Sequence, residues 1–236
     1  MKILSIECSA SPASCAIIDD GKIKASSFIN AKLTHSQTLV QMIINTLDNS
    51  ATKLCDIDRI AVAVGPGSFT GLRIGISAAK GLAAPQNIPC IPISTLDSIA
   101  ENFSDRDCIV CAVMDARCNQ FYNALFEIKN GVISRLCDDR ALTSDELKAE
   151  ILNLTTENEI IVCGDGADLF YKKVCDISNI RLASEHLKFQ SAVGIGLFAY
   201  KNADNITTIL PENLLPAYLR LPQAERELKA KTEAKK

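Results

Sequence analysis

One order of elements runs through this chain twice, and that repeat constrains its fold more than any other feature. Residues 2–7 (KILSIE) predict a strand ending in an acid, Glu7. Residues 13–19 and 22–28 predict two more strands, joined by Asp20-Gly21, a tight-hairpin signal. Helical spacing of Leu39, Val40, Met42, Ile43, Ile44 and Leu47 follows over 35–49. Residues 59–64 (RIAVAV) are continuously apolar, as in a strand buried on both faces. The turn Gly65-Pro66-Gly67 leads into a helix over about 70–84, ending before Pro85.

The second half repeats this order. A strand over 107–115 ends in Asp115, and strands over 119–127 and 132–136 meet around Asn130-Gly131. Thr143-Ser144-Asp145-Glu146 has the capping-box pattern of a helix start. A strand over 159–163 runs into Gly164-Asp165-Gly166 and a short helix over about 167–174. A last amphipathic helix covers about 190–202 and can pack back on the first half. The expected fold is α/β, with two lobes from a duplicated unit: residues 1–103, then 104–222, then a charged tail at 223–236 read as frayed or disordered. The cleft between lobes is the default ligand site.

Composition supports packed lobes, with 47% hydrophobic and 22% charged residues and a mean hydropathy of +0.13. A net charge of −3 provides no basic field for nucleic acid, so any contact with RNA is expected to be indirect or weak. The ten cysteines are scattered, and MKILSIE reaches an acid before an apolar leader can form. No apolar run approaches the roughly 18 residues of a membrane span. A reducing, cytoplasmic setting without a membrane is expected. Cys108 and Cys111 form a C-x-x-C on a strand, where residues three apart face opposite sides, so a shared metal is not expected.

The turn at 65–71 resembles a phosphate loop in layout only. It lacks the Lys-Ser/Thr of a Walker A loop and has one residue too many for G-x-G-x-x-G. Backbone N–H groups at a helix start can still meet an anion, with Glu7, Ser9, Gly65 and Gly67 nearest to a nucleotide; the turn could equally need glycine only for its dihedrals. Gly71, Gly75, Ala79 and Ala83 recur every four residues, so they line one ridge that another element can approach closely, either within the lobe or across a subunit interface. The two histidines, His35 and His186, form no metal pair or catalytic triad by spacing.

ILSIECS (3–9), HSQTLVQMI (35–43), GPGSFTGLRIGISAAKGLA (65–83), VMDARCNQFYNALF (113–126) and PAYLR (216–220) together resemble the TsaB (YeaZ) family over nearly the whole chain. The resemblance implies the duplicated two-lobe actin/Hsp70/sugar-kinase fold. It also implies a non-catalytic scaffold and activating subunit in tRNA threonylcarbamoyladenosine synthesis. That subunit is paired with the transferase TsaD, with the ATPase TsaE in the larger complex; because the two share a fold, the same surface is also open to self-pairing when TsaD is missing. His35 matches the first histidine of the catalytic relative's metal motif and Leu39 stands at the second, which implies no catalytic metal here. The family's partner-facing helices match 35–49 and 70–84, giving Leu39, Ile43, Leu47, Gly71, Leu72, Gly75, Ile76 and Ala79 as interface residues. The family's usual first-strand acid is Asp; Glu7 departs from it, and no firm cofactor follows, with ATP or ADP expected only within the complex. The rival expectation is a stand-alone phosphotransferase or ATPase using the inter-lobe cleft, with Glu7 and Asp115 near metal-bound phosphate.

Overall fold

The computed structural model describes residues 1–31, 33–154 and 158–220. The predicted tail at 223–236 lies outside the described residues. The first half contains β1 (Lys2–Glu7), β2 (Ala13–Asp19), β3 (Lys22–Ile29), α1 (His35–Asn49), β4 (Arg59–Gly65), α2 (Phe69–Ala83), β5 (Cys90–Ser94) and α3 (Thr95–Glu101). The second contains β6 (Cys108–Asp115), β7 (Gln120–Lys129), β8 (Val132–Arg135), β9 (Arg140–Thr143), α4 (Ser144–Asn153), β10 (Ile160–Cys163), α5 (Ala167–Val174), β11 (Ile180–Leu182), α6 (Glu185–Lys188) and α7 (Ala192–Lys201).

The duplication extends to topology. The first sheet has the order β3-β2-β1-β4-β5; read in the same sense, the second has β8-β7-β6-β10-β11, with β9 also paired to β7. In both, the first strand pairs antiparallel with the second and parallel with the fourth, which in turn pairs parallel with the last. The hairpin turns match as well. Asp20 and Gly21 have φ of 48° and 74°, Asn130 and Gly131 51° and 78°, the left-handed pair that suits the twist of a two-residue hairpin.

Each sheet is buried on both faces. Leu4, Ile6, Cys15, Ile17 and Val62 face α1 and α2, while Ile3, Ala16, Ile18 and Ala61 face the other way, as period-two alternation dictates. In the second sheet Cys111 and Val113 face α4 and α5, and Cys108 and Val110 face inward toward α3. Cys108 and Cys111 thus lie on opposite faces.

The inner layer is exchanged between halves. After β5, α3 crosses to the second sheet, where Leu96, Ile99, Ala100 and the following Phe103 pack with Val110 and Phe126. After β11, α7 crosses to the first sheet, where Ala192, Ile195 and Ala199 pack with Ile3, Ile18 and Ile91. The two helices also pack on each other. Close approach is permitted by glycine: a Cβ on Gly194 would stand 2.3 Å from the Ser98 carbonyl oxygen of α3, and one on Gly196 2.5 Å from Ile18 Cγ1. A division at residue 103 therefore assigns α3 to the first lobe, whereas its apolar face completes the core of the second.

Candidate functional site

The ends of β1 and β6 and the glycine turns after β4 and β10 meet at a cleft of about 580 Å³ between the lobes. Ser9, Ser68 and Thr70 line it from the first lobe, and Asp115, Tyr122 and Asp165 from the second.

The first glycine turn does not form a phosphate cradle, because the chain itself occupies the space each glycine leaves. A Cβ on Gly65 would stand 2.3 Å from the Ala217 carbonyl oxygen, and one on Gly67 2.4 Å from that of Ser9. Ser68 N donates to Ser9 O at 2.6 Å, and the Ser68 hydroxyl caps α2 by accepting from Gly71 N. Of the nucleotide candidates, Gly65 and Gly67 thus serve close packing of the turn, Ser9 lines the cleft, and Glu7 is buried behind it.

Glu7 is fully buried. Its Oε1 accepts from Ser9 N at 2.5 Å, and its Oε2 has no partner among the described residues. Burial pushes the carboxyl up to about 7, hydrogen bonds from Ser9 oppose the shift, and the charge of Asp165 adds to it. Asp165, from the second glycine turn, is likewise pushed up to about 7, by burial first and then by Asp115. Asp115 itself is exposed and accepts from Arg117 N at 2.7 Å. The Asp115 that sequence symmetry pairs with Glu7 is therefore a solvent-exposed group on the cleft wall; the buried acid whose charge acts on Glu7 is Asp165. Its signal was its place within the repeated glycine turn. Gln190, fully buried beside Asp165, had no local signal.

His35 packs rather than ligates. Its Nε2 is 2.7 Å from the Ala10 carbonyl oxygen, and Leu39, one turn on, is buried. His186 is exposed on α6, remote in role from the cleft lining.

The predicted interface residues need correction. Leu39, Ile43, Gly71, Leu72, Gly75, Ile76 and Ala79 are all buried within the lobe. The small-residue ridge lies against the end of β1: a Cβ on Gly71 would be 2.0 Å from Cys8 O, and the Gly75 position abuts the Cys8 and Ile6 side chains. What approaches closely is the protein's own first sheet. Only Leu47 of the set remains partly exposed. The exposed residues are its neighbours on α1, Val40 and Ile44, flanked by Ile74 and Ala78 of α2, which are half-buried against the core.

A C-terminal strap spans the cleft mouth. Ala217 N donates to Val64 O at 2.7 Å, Tyr218 stacks on Phe69 with ring centroids 4.3 Å apart, and Arg73 Nε donates to the Tyr218 hydroxyl at 2.8 Å. Arg220 then reaches the second lobe, donating to Ala116 O at 2.7 Å. The PAYLR segment is thus a physical link between lobes.

Two matching α/β lobes that exchange a helix and enclose a cleft define an actin-like two-lobe protein. Solved structures agree: YeaZ from Pseudomonas aeruginosa superposes with a TM-score of 0.78 at 23% identity, covering 92% of this chain and 99% of that one. The Acidaminococcus fermentans (R)-2-hydroxyglutaryl-CoA dehydratase component A does so at 0.51 and 14%, covering 87% and 100%. The family model described as "TsaD: tRNA N6-adenosine threonylcarbamoyltransferase" matches residues 29–225. The tRNA threonylcarbamoyladenosine biosynthesis protein TsaB of Bacillus subtilis is 29% identical over 95% of this chain and 96% of its own length. The Escherichia coli protein of the same name is 38% identical over 56% and 58%. A tRNA N6-adenosine threonylcarbamoyltransferase of Fusobacterium nucleatum is 30% identical over 65% of this chain and 51% of its own. The chain belongs to this family, within it to the TsaB (YeaZ) group.

Proposed function

We propose that this protein acts in tRNA threonylcarbamoyladenosine biosynthesis as a non-catalytic subunit that docks on, and activates, the transferase TsaD. The apolar outer face of α1 carries the reading: Val40 is 56% and Ile44 45% exposed. Thr46, on the opposite flank of α1, bonds Ser27 of β3, so Leu47, Val40 and Ile44 turn toward α2. Arg73 and Lys80 hold the C-terminal segment on one flank of α2, leaving Ile74 and Ala78 on the flank bordering α1. Together these side chains form an apolar crease between two helices, suited to two helices of a partner with the same fold. Lacking TsaD, two copies pair through this crease.

The engagement of His35 Nε2 with the Ala10 carbonyl oxygen, and a buried leucine at 39, support a non-catalytic part. The filled glycine turn argues for ATP or ADP being held elsewhere in the assembly, with TsaE as its ATPase. We place the protein in the cytoplasm with its tRNA substrate pool. Among the described residues no helix is long and apolar enough to cross a membrane.

The test is Val40→Glu combined with Ile44→Glu. The double variant is expected to fold normally, to lose co-elution with TsaD, and to support at least tenfold less tRNA modification by mass spectrometry of nucleosides. Full co-elution and full modification would overturn the interface. Specific ATP turnover by the purified chain alone, lost in Glu7→Ala, would instead favour the stand-alone enzyme. Changes at Gly75 or Ala79 report on the core and not on docking.

A further inference from the structure

Two motifs of the sequence have no part in docking, and in the fold they meet. Arg220 of PAYLR donates to Ala116 O, within the turn that joins β6 to β7. Arg117, Cys118 and Asn119 of this turn have φ of 62°, 54° and 56°. Residues with side chains rarely take that left-handed conformation singly, and here three take it in succession. The turn is held at each step. Arg117 N donates to Asp115 Oδ1 at 2.7 Å, Gln120 N to Arg117 O at 3.2 Å, and Ser144 N to Asn119 O at 3.2 Å. Backbone so constrained clusters at ligand sites.

What the turn presents is Arg117. A second cavity, of about 430 Å³, lies between the turn, the start of α4, and α5; Arg117, Lys173, Asn119, Ser144, Leu169 and Asp115 are among its lining residues. Among the described residues Arg117 and Lys173 are hydrogen-bonded through backbone atoms only, and neither side-chain cation has an ion pair. Asp115 stands two residues from Arg117, yet its carboxylate takes the Arg117 N–H and not the guanidinium. Asn119 Oδ1 accepts from the Ser144 hydroxyl at 3.1 Å, which leaves the amide N–H groups as donors. Asp145 and Glu146 accept from Ser144 Oγ and Thr143 N, within the start of their own helix. Water satisfies a single surface cation. Two that share one cavity with an amide donor ask for an anion with several acceptor oxygens.

The charge of that anion follows from the lining. Two cations against one carboxylate leave one net positive charge. A phosphodiester carries one negative charge, whereas a phosphate monoester near neutral pH carries closer to two. Arginine meets phosphate oxygens in a fork and lysine as a point charge. Leu169, 50% exposed, adds an apolar wall fit for a ribose. We propose that Arg117, Lys173 and Asn119 form a subsite for one phosphodiester of an RNA backbone. Resting on the pathway proposed above, that RNA is the tRNA. A net charge of −3 gives the chain no field to capture RNA by itself, so the subsite is one contact on an RNA held mainly by the partner transferase. It reads backbone and not sequence.

The probe is the dinucleotide UpU, which has a single phosphodiester, titrated into the full chain alone and followed by amide nuclear magnetic resonance. Uridine and inorganic phosphate are parallel arms. UpU is expected to give saturable shifts at residues 116–120 and 169–173, and uridine none. Arg117→Gln and Lys173→Gln are each expected to weaken UpU binding by roughly fivefold or more with an unchanged circular dichroism spectrum, while Lys22→Gln, on β3, binds as the wild type does. With TsaD present, Arg117→Gln is expected to raise KM for tRNA by roughly threefold or more at unchanged kcat and full co-elution. Absence of saturable shifts at these residues, equal shifts from uridine, tighter binding of inorganic phosphate than of UpU, wild-type binding in both variants, or an unchanged KM would overturn the proposal. The shift map needs only the wild type, so it decides even where a variant fails to fold. UpU binding does not depend on docking, so loss of the docking reading and loss of this one are told apart.

Discussion

Gly71 and Gly81 lie on the same helix, α2, yet their replacement by alanine has opposite consequences. At Gly71 the new Cβ would meet the Cys8 carbonyl oxygen at 2.0 Å, a backbone atom that cannot step aside. Gly71→Ala is expected to destabilise by about 3 kcal/mol, the upper end of overpacking costs. At Gly81 nothing lies within 4 Å, so alanine only removes the entropic handicap of glycine in a helix. Gly81→Ala is expected to stabilise by up to about 1 kcal/mol, and urea unfolding of the two variants checks both signs. Glu7→Gln is a third case at this scale. Its folded carboxyl is raised to about 7 from an ordinary value of 4.5. Below 4.5 both folded and unfolded chains hold the proton, and the residue is neutral to stability. Between 4.5 and 7 the unfolded chain has released a proton that the folded chain keeps, so stability falls as pH rises. Above 7 the full cost is present, and glutamine, which keeps the Oε1 acceptor for Ser9 N, does not bear it. Glu7→Gln is therefore expected to be more stable than wild type by about 1–3 kcal/mol at pH 8 and equal to it at pH 4. Equal unfolding midpoints at pH 8 would contradict this account.

Elements that announce themselves locally were legible before any fold was known. The Asp20-Gly21 and Asn130-Gly131 turns supply the two left-handed residues a tight hairpin needs, and α4 begins at its capping box, Thr143 N donating to Glu146 Oε2 at 2.8 Å and Glu146 N to Thr143 Oγ1 at 3.3 Å. Thr143→Ala removes the hydroxyl half of the box, the acceptor for Glu146 N, and is expected to cost about 1 kcal/mol, measured as a shift in the denaturation midpoint at unchanged slope. The elements missing from the sequence reading lack such signals. β5 is five residues with Pro92 in its middle, tolerated because it is the last strand of its sheet and the isolated outer bridge, Cys90 with Ile209, stops short of Pro92. β11 has three residues, and α3 follows β5 without a loop and spans under two turns, too short for a helical period to register. The site divides in the same way. Glu7 is visible as an acid closing an apolar strand, and Asp165 as an acid inside a repeated glycine turn. Gln190 comes from the connection between α6 and α7 and reaches Asp165 only through tertiary packing. The ridge on α2 shows a further limit: small residues every fourth position say that something comes close, and only the fold says that it is β1.

At the scale of the whole molecule, the exchanged helices decide how the lobes respond to stress. α7 rests on the first sheet and on α3, and α3 rests on the second sheet, so the two cores are joined through one helix pair in the middle layer. Neither lobe buries its inner face without the helix contributed by the other. Such an arrangement unfolds as one cooperative unit, unlike two lobes joined by a linker, which would open independently. Gly194 sits at the contact between the pair, and a Cβ there would stand 2.3 Å from Ser98 O and 3.3 Å from Asn102 Oδ1. Gly194→Val forces α7 away from α3 without touching either sheet directly. At a cost of about 2 kcal/mol, global opening becomes roughly 30-fold more frequent. The slowest-exchanging amides of β1 and of β6, on different sheets, are then expected to exchange faster by the same factor in native-state hydrogen exchange. If the β1 amides accelerate while those of β6 keep their wild-type rates, α7 belongs energetically to the first lobe alone, and the helix exchange is a matter of topology without a shared stability.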